Sequence, residues 1–530
     1  MTWKVNDPEG NESAKIKYEI VPYTRGQGLD LGCGIYKTYP HFIGVDNMKQ
    51  WGTNPSPSYQ MALHMNIDVT TDGDRLDMFA SGALDFVFSS HLLEHLEDPE
   101  KALKEWWRVI KIGGYLVLYL PHKDFYPNVG EAGANPDHKH DFIPRDIIAL
   151  MKEIAKSTRG WDLLRSENRN EGTEYSFFQV FRKREDKECV HVWNEKKPDK
   201  TVGIVRYGGF GDMLQTSSIL PSLKERGYHI TLFTTPAGEN IVKEDPYIDE
   251  FMIQDNEQVA NEELVPYWKC WSKKFDKWIN LSESVEGTFL AIPGRAAYLW
   301  PTRARHRVLD VNYLEFMHDI AEVPYRPDVK FFPTEKERRS AEKEKERIGP
   351  CVLWVIDGSS VHKMWPWMDN AIARILTQST LKVVTVGNNV SAILESGWEN
   401  EPRVVKKCGK WEIRETLAFA QQADIVVGPE TGVMNAVSFE ENMKIIFLSH
   451  SSEENLTRDW VNCVSLKPDR CECYPCHKMI MGWEFCNRVS EEFKFGEKTL
   501  IIEGAKCQVN IGLHEFWEAF LRVHKMKEAA

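Results

Sequence analysis

Three groups of side chains in this sequence could do chemistry. The first follows an apolar run at 202–205: Gly208, Gly209 and Gly211 open a turn, and Asp212 stands where a helix would begin. Glycines at such a turn let a ligand approach the backbone, and a helix start carries positive partial charge. A carboxylate there is poorly suited to holding a phosphate and better suited to taking a proton from a neutral hydroxyl. The second group is Gly28-Leu-Asp-Leu-Gly-Cys-Gly34, with Asp46 ending the next apolar run. Gly32 and Gly34 open the backbone to a ligand, and a carboxylate at a strand's carboxyl end accepts hydrogen bonds from ribose hydroxyls. Ile35-Tyr36 stands where the third glycine of a dinucleotide fingerprint would fall, so no pyrophosphate cradle is expected. The third group is sulfur. Cys473 and Cys476 have the spacing that presents two thiolates to one ion, and Cys486 and Cys507 complete a closed four-thiolate set. Cys471 and His477 are spare ligands, and free thiols are the alternative.

These groups need scaffolding, which the apolar pattern supplies. Asp98 can cap a helix with Pro99 at its first position. Leu103, Trp106, Trp107 and Ile110 then recur at helical spacing and make one apolar face. Gly113-Gly114 is expected to end that helix, ahead of a buried strand at 115–120. Charged runs at 182–188 and 194–200 mark a domain boundary. Beyond it, the helix opened by Asp212 carries Ile219, Leu220 and Leu223 and stops at Gly227, and strands follow at 230–234 and 277–281. Arg295, Arg303, Arg305 and Arg307 either meet an anionic acceptor or form a solvated loop. A charged helix from Thr334 bridges to a second α/β repeat, with strands at 351–356, 381–387 and 424–427 and a helix at 411–422.

The chain has 530 residues, too many for one core. Hydrophobic residues at 42% and charged residues at 27% are ordinary for a globular protein. A formal net charge of −13 argues against nucleic-acid or anionic-membrane partners. No apolar run approaches the roughly 20 residues needed to span a bilayer, and the start has no signal-peptide core. A cytoplasmic location is expected, with the 11 cysteines as thiols or metal ligands rather than disulfides.

Over about residues 25–180 the strings Leu-Asp-Leu-Gly-Cys-Gly, Gly-Val-Asp, Leu-Leu-Glu-His-Leu-Glu-Asp-Pro and Ile-Gly-Gly-Tyr-Leu-Val-Leu resemble class I S-adenosylmethionine-dependent methyltransferases of the type 11 kind. The resemblance implies that Gly32 and Gly34 flank the methionine part of S-adenosyl-L-methionine and that Asp46 holds its ribose. Asp68 would lie beside the adenine, with Ser89 and His91 lining the same pocket. His138 and His140 fall in the family's substrate loop, as catalytic groups or as solvated ones. The lead-in before the first strand is short, so part of the usual lid is expected to be reduced or supplied by the other domain.

The string Arg-Tyr-Gly-Gly-Phe-Gly-Asp-Met-Leu resembles the N-terminal signature of glycosyltransferase family 9, the heptosyltransferase-like enzymes. That resemblance makes Asp212 the catalytic base. Gly358-Ser-Ser-Val-His-Lys-Met-Trp-Pro366 resembles the family's lysine loop and implies that Lys363 meets the donor phosphates. Gly428-Pro-Glu-Thr-Gly-Val-Met-Asn435 resembles its second donor loop. Thr431 and Gly432 would offer backbone N–H groups there, while Glu430 and Asn435 replace the family's aspartate and histidine. Cys473, Cys476, Cys486 and Cys507 resemble the iron-binding finger of autotransporter heptosyltransferases, with zinc as the chemical alternative.

The expected architecture is α/β throughout: a Rossmann-like methyltransferase domain at 1–185, a linker at 186–200, and a GT-B pair of Rossmann-like lobes. The acceptor lobe is expected at 201–335. The donor lobe is expected at 336–530, with the finger at 471–507 and a terminal helix at 513–526 crossing back. The expected function is a bifunctional transferase of surface polysaccharide or glycoconjugate synthesis. It would combine inverting transfer from an ADP-heptose-like nucleoside-diphosphate sugar with O-methylation of a sugar or glycan. A protein or nucleic-acid substrate, or a non-catalytic scaffold, are the alternatives, and homo-oligomerisation is left open.

Overall fold

A computed structural model describes residues 11–48, 57–192, 198–282, 291–480, 486, 488–495 and 498–529. The chain packs as two units, residues 1–198 with 254–274 and residues 199–253 with 275–530. No helix among the described residues is long and apolar enough to cross a membrane.

The first unit is built on one mixed sheet. Val69–Thr70, Ile43–Asp46, Gly28–Leu31, Leu84–Ser90 and Ile110–Pro121 run parallel in that spatial order. Ser176–Lys183 then joins antiparallel, followed by Trp161–Arg169 and the short edge strand Cys189–His191. The central strands are covered on both faces, which is why they read as apolar runs rather than alternating ones. The helix Pro99–Val109 lies on this sheet with Leu103, Trp106 and Trp107 buried, and the Asp98 side chain accepts from the Lys101 N–H at 2.9 Å. Its end differs from the expectation. The helix stops at Val109, and Ile110 is already strand, so Gly113 and Gly114 lie inside the strand. The pairing jumps there from Leu84–Ile110 to Phe86–Tyr115. A side chain on Gly114 would place its Cβ 2.4 Å from the Asp85 carbonyl oxygen. The two glycines serve an irregular bulge, which periodicity along one segment does not reveal.

The boundary also differs from the expectation. Residues 254–274, expected in the 201–335 lobe, pack within the first unit. Tyr267, Trp268 and Trp271 of the helix Leu264–Ser272 are buried. The Trp271 indole donates to the Tyr18 carbonyl at 3.1 Å, and the Gln258 amide donates to the Val21 and Thr24 carbonyls at 2.8 and 3.0 Å. The short lead-in is therefore braced by chain from beyond the expected linker. At its centre Glu19 is buried, with Lys274 Nζ at 2.6 Å, Arg165 at 3.4 Å and Arg169 also paired.

The second unit holds two parallel sheets. The smaller is ordered Glu250–Ile253, His229–Thr234, Thr201–Val205, Lys277–Asn280. The larger is ordered Val404–Lys406, Lys382–Val386, Cys351–Val355, Ile425–Pro429, Met443–Phe447, Cys463–Leu466. In both sheets the chain's first strand is interior, with the strand order reversing beside it, the topology that leaves a crevice at the strands' carboxyl ends. This is a GT-B-like pair of Rossmann-like lobes. One core joins them: Leu214, Leu314, Met317 and Phe331 pack in the same cluster as Leu353, Leu417 and Val426.

Two elements depart from the expected form. The helix after the glycine turn is broken into Phe210–Thr216, a tight turn at Ser217–Ile219, and Leu220–Glu225. Pro221 restarts it, because proline lacks the N–H that a continuous helix needs. The terminal helix Leu513–Ala529 packs on the larger sheet, with Phe516, Phe520 and Val523 among Trp354, Trp365 and Phe447. That cluster contains no residue before Val352, so the expected crossing to the first lobe is not seen in its packing.

Burial pushes the Glu19 carboxyl upward, but Lys274, Arg169 and Arg165 outweigh it and hold its pKa below the ordinary 4.5. A lowered folded-state pKa gives stability that is complete above the unfolded value and is lost as pH falls toward the folded one. Glu19→Gln should therefore destabilise the first unit by roughly 3–5 kcal/mol at neutral pH, since it strands buried cations. Denaturant titration should show the wild-type advantage shrinking below about pH 4.5, and a pH-independent difference would contradict this account.

Candidate active site

A cavity of about 650 Å³ in the second unit is lined from both lobes. Gly209, Gly211 and Asp212 come from the turn after Thr201–Val205, Lys363 from the loop after Cys351–Val355, and Glu430, Thr431, Gly432 and Asn435 from the loop after Ile425–Pro429. Every residue expected at the glycosyl-transfer site thus lines one space. The two glycine-opened helices meet there: a Cβ on Gly432 would lie 2.8 Å from the Phe210 Cβ and 3.0 Å from the Gly211 nitrogen. The Gln215 amide donates to Asn435 Oδ1 at 3.2 Å.

Asp212 is partly exposed, at 39% of its side chain, and is held on two sides. The Gly209 N–H donates to Oδ2 at 2.8 Å, and the fully buried Arg206 lies 3.2 Å from Oδ1. Arg206 also donates to the Leu281 carbonyl at 3.1 Å, tying the turn to the end of the neighbouring strand. This buried arginine escaped the sequence reading, although it stands in the same string.

Lys363 is buried, and no hydrogen bond or ion pair is made by its ammonium among the described residues. Burial lowers its pKa, against the raising influence of Glu430 and Asp212. Gly358 makes way for its stem, since a Cβ there would sit 2.7 Å from Lys363 Cδ. Glu430 behaves differently. Its Oε1 accepts from the Ser449 and Ser451 N–H groups at 2.7 and 3.1 Å, and its Oε2 lies 2.6 Å from His450 Nδ1. Burial would raise its carboxyl, but His450 and Lys363 outweigh that and hold it at about 2. Both oxygens are occupied, so this carboxylate fixes the 449–451 loop rather than reaching freely into the cavity. Thr431 caps the helix Gly432–Ala436 through the Met434 N–H at 3.5 Å. Asp357, Asn388, Tyr313, Trp411 and His450 also line the cavity and were not singled out from the sequence. They lie on loops whose convergence local pattern cannot show.

In the first unit, Gly32, Gly34, Asp46, Ser89 and His91 lie at the strands' carboxyl ends, whereas Asp68, expected beside the adenine, precedes Val69–Thr70 and stands at its amino end next to Gly44. Leu31 pairs in register with Ser89, which sets the Gly32 turn beside Ser89 and His91. The Gly34 N–H donates to Asp46 Oδ2 at 3.1 Å, and a side chain at Gly34 would meet open space. Asp68 Oδ2 accepts from the Gly44 N–H at 2.7 Å and from Lys37 at 2.9 Å. Ser89 is fully buried, with no hydrogen-bond partner for its hydroxyl. His91 Nε2 lies 2.9 Å from Ser176 Oγ, and burial lowers its pKa to about 3. The two expected substrate-loop histidines part company. His138 Nε2 lies 3.8 Å from Glu94 Oε1, whereas the His140 ring stacks on Phe142 and its Nε2 has no hydrogen-bond partner. A second concavity of about 690 Å³, lined by Asp74, Lys101, Arg108 and Lys183, contains none of the expected site residues.

The sulfur group is partly gathered. Cys471 and Cys473 approach to 3.5 Å between sulfurs, and that contact lowers the Cys473 thiol to about 6. Cys507 is raised, first by burial and then by Cys476, Cys486 and Cys473, which places these thiols in one neighbourhood. No three cysteine sulfurs among the described residues all lie within 4.8 Å of one another.

Residues 29–118 match the family described as "Methyltransferase domain". The ajmaline N-methyltransferase of Rauvolfia serpentina is 32% identical over 143 residues, which are 25% of this chain and 45% of that protein. The chain thus matches less than half the length of that curated relative. Among solved structures, the E. coli ADP-heptose lps heptosyltransferase II is 12% identical, with 62% of this chain and 99% of that one covered at a TM-score of 0.42. The glycosyl transferase family 9 structure from Veillonella parvula is 15% identical, covering 51% of this chain and 86% of that one at a TM-score of 0.40. By the family match over the strands that carry the glycine turn and Asp46, the chain contains a methyltransferase domain at residues 29–118.

Proposed function

We propose that this chain is a two-part transferase. Its second unit moves a glycosyl group from a nucleoside-diphosphate sugar to an acceptor hydroxyl, and its first unit moves a methyl group from S-adenosylmethionine to a hydroxyl of a sugar or glycan. The glycosyl half rests above all on Lys363, a buried residue that lines a cavity able to hold a nucleotide and whose ammonium has no hydrogen-bond or ion-pair partner among the described residues. A cation left uncompensated in protein interior is costly, and an anionic ligand removes that cost.

The chemistry follows from the pairing. The acceptor oxygen attacks the anomeric carbon as the bond to the diphosphate oxygen breaks, with inversion. The hydroxyl proton passes to the Asp212 carboxylate, which Gly209 and Arg206 hold in orientation. The charge that develops on the diphosphate meets Lys363, so this step needs no metal ion. Thr431 and Gly432 border the same phosphates, and Trp411 with Ile413 offers an apolar wall for the base. Glu430 acts indirectly, by fixing the His450 loop.

In the methyl half, Gly32, Gly34 and Asp46 hold the cofactor, with Ser89 and His91 beside it. Methyl transfer is an in-line displacement, so alignment and exclusion of water are the main demands. His140, with its buried free nitrogen, is the group assigned to take the acceptor proton. Cys473, Cys476, Cys486 and Cys507 are assigned to a structural iron or zinc ion. Their mutual electrostatic influence supports this, although their sulfurs must still draw together around the ion.

Asp212→Asn should keep nucleoside-diphosphate affinity in calorimetry while losing turnover by roughly 10²-fold or more, as loss of a general base predicts. Lys363→Met should instead lose the affinity itself. Unchanged turnover in the first variant, or unchanged binding in the second, would sink the assignment. Labelled S-adenosylmethionine incubated with the protein and candidate glycans should deliver label to glycan. Label found only in protein or nucleic acid would overturn the acceptor class. Cobalt bound at the sulfur site should give thiolate-to-metal absorption in the near ultraviolet, and absence of that band from cobalt-loaded protein would remove the sulfur site.

A further inference from the structure

We propose that Glu94, His95 and His138 in the first unit form a second metal site, separate from the cysteines, that takes a divalent first-row transition-metal ion of the zinc or cobalt kind. Among the described residues these three are the only His, Cys, Asp or Glu side chains, in groups of three or more, whose ligand atoms all lie within 4.8 Å of one another.

Glu94 is fully buried in the turn after Leu84–Ser90, and among the described residues its carboxylate has no hydrogen-bond partner beyond its own backbone N–H. Its Oε1 lies 3.8 Å from His138 Nε2 and 3.9 Å from His95 Nε2. Those separations are too long for hydrogen bonds, so a protonated Glu94 would satisfy neither nitrogen. They are near the spacing of ligands around one ion: metal–ligand bonds of about 2.1 Å in a tetrahedron put ligand atoms about 3.4 Å apart. Each Glu94–imidazole separation would contract by about half an ångström to reach that spacing, and all three ligand atoms already lie within 4.8 Å of one another.

The surroundings are those of a built site. His95 Nδ1 lies 3.2 Å from the Asp137 carbonyl oxygen and donates to it, and its Nε2 lies on the Glu94 side of the ring. A metal-ligating histidine is oriented in this way, through its other nitrogen. The loop that carries His138 is pinned to the same turn, since the Lys139 and His140 N–H groups donate to the Glu94 carbonyl at 2.9 and 3.2 Å. The His95 and His138 rings meet edge to face with centroids 4.7 Å apart. His91 Nδ1 approaches the same Glu94 oxygen at 3.8 Å. Two imidazoles and one carboxylate suit zinc, cobalt or iron(II) better than magnesium or calcium. Three protein ligands leave a coordination position open for an outside oxygen.

The test uses the full chain, stripped with chelator and titrated with cobalt(II). The expected result is one equivalent with visible ligand-field bands and no thiolate charge transfer, over and above any sulfur-bound cobalt. Glu94→Gln and His138→Gln should each lose that equivalent, while Glu97→Gln, at an exposed neighbouring carboxylate, should keep it. Circular dichroism checks folding, and the two ligands lie on different loops, so either folded variant decides. Wild-type protein that takes up no cobalt outside the sulfur set, or folded variants that retain the equivalent, would overturn the proposal. The readout needs neither S-adenosylmethionine nor an acceptor, so it fails or succeeds apart from the transferase reading.

Discussion

The second unit depends on a close approach between two backbones. Gly432 has no room for a side chain, because a Cβ there would meet Phe210 Cβ at 2.8 Å and the Gly211 nitrogen at 3.0 Å. That contact clamps a helix start from one lobe against a helix start from the other. Asp212 and Lys363 lie on loops far apart in sequence and line one cavity because of it. The shared core beneath, with Leu214, Met317, Leu353 and Leu417 in one cluster, holds the clamp in place.

Around that cavity the charges sort themselves by whether a partner is built in. Asp212 has Gly209 and Arg206; Glu430 has His450 and two backbone N–H groups. Lys363 has none. In a low-dielectric setting a charge that the fold leaves unanswered is the one that a ligand answers. The same contrast runs through the first unit. Glu19 is answered by three cations and reads as structure, whereas Glu94 faces imidazole nitrogens just beyond hydrogen-bond reach.

Much of this was legible along the chain because the physics is local. The Asp98 cap, the charged helix starting at Thr334, and the glycine turns before Asp212 and after Leu31 each lie within a few residues of what they organise. Other features were hidden. Gly113 and Gly114 look like a helix terminator until the register with Leu84–Ser90 shows a bulge. Residues 254–274 look like part of the second lobe until Trp271 and Gln258 find the lead-in at Tyr18 to Thr24. Glu94 and His95 sit in a string read only for its family resemblance, with no role given to either, and His138 lies more than forty residues further on.

Order of residues along the chain was enough to place many of the strands and helices, the glycine and carboxylate at several strand ends, and the α/β architecture. Such features arise from backbone sterics and from hydrogen bonds between near neighbours, which travel with the sequence. Which side chains face each other did not travel with it. That Arg206 backs Asp212, that Lys363 stands unpaired, and that Glu94 meets two histidines depend on loops brought together by packing, and packing is a property of the whole fold.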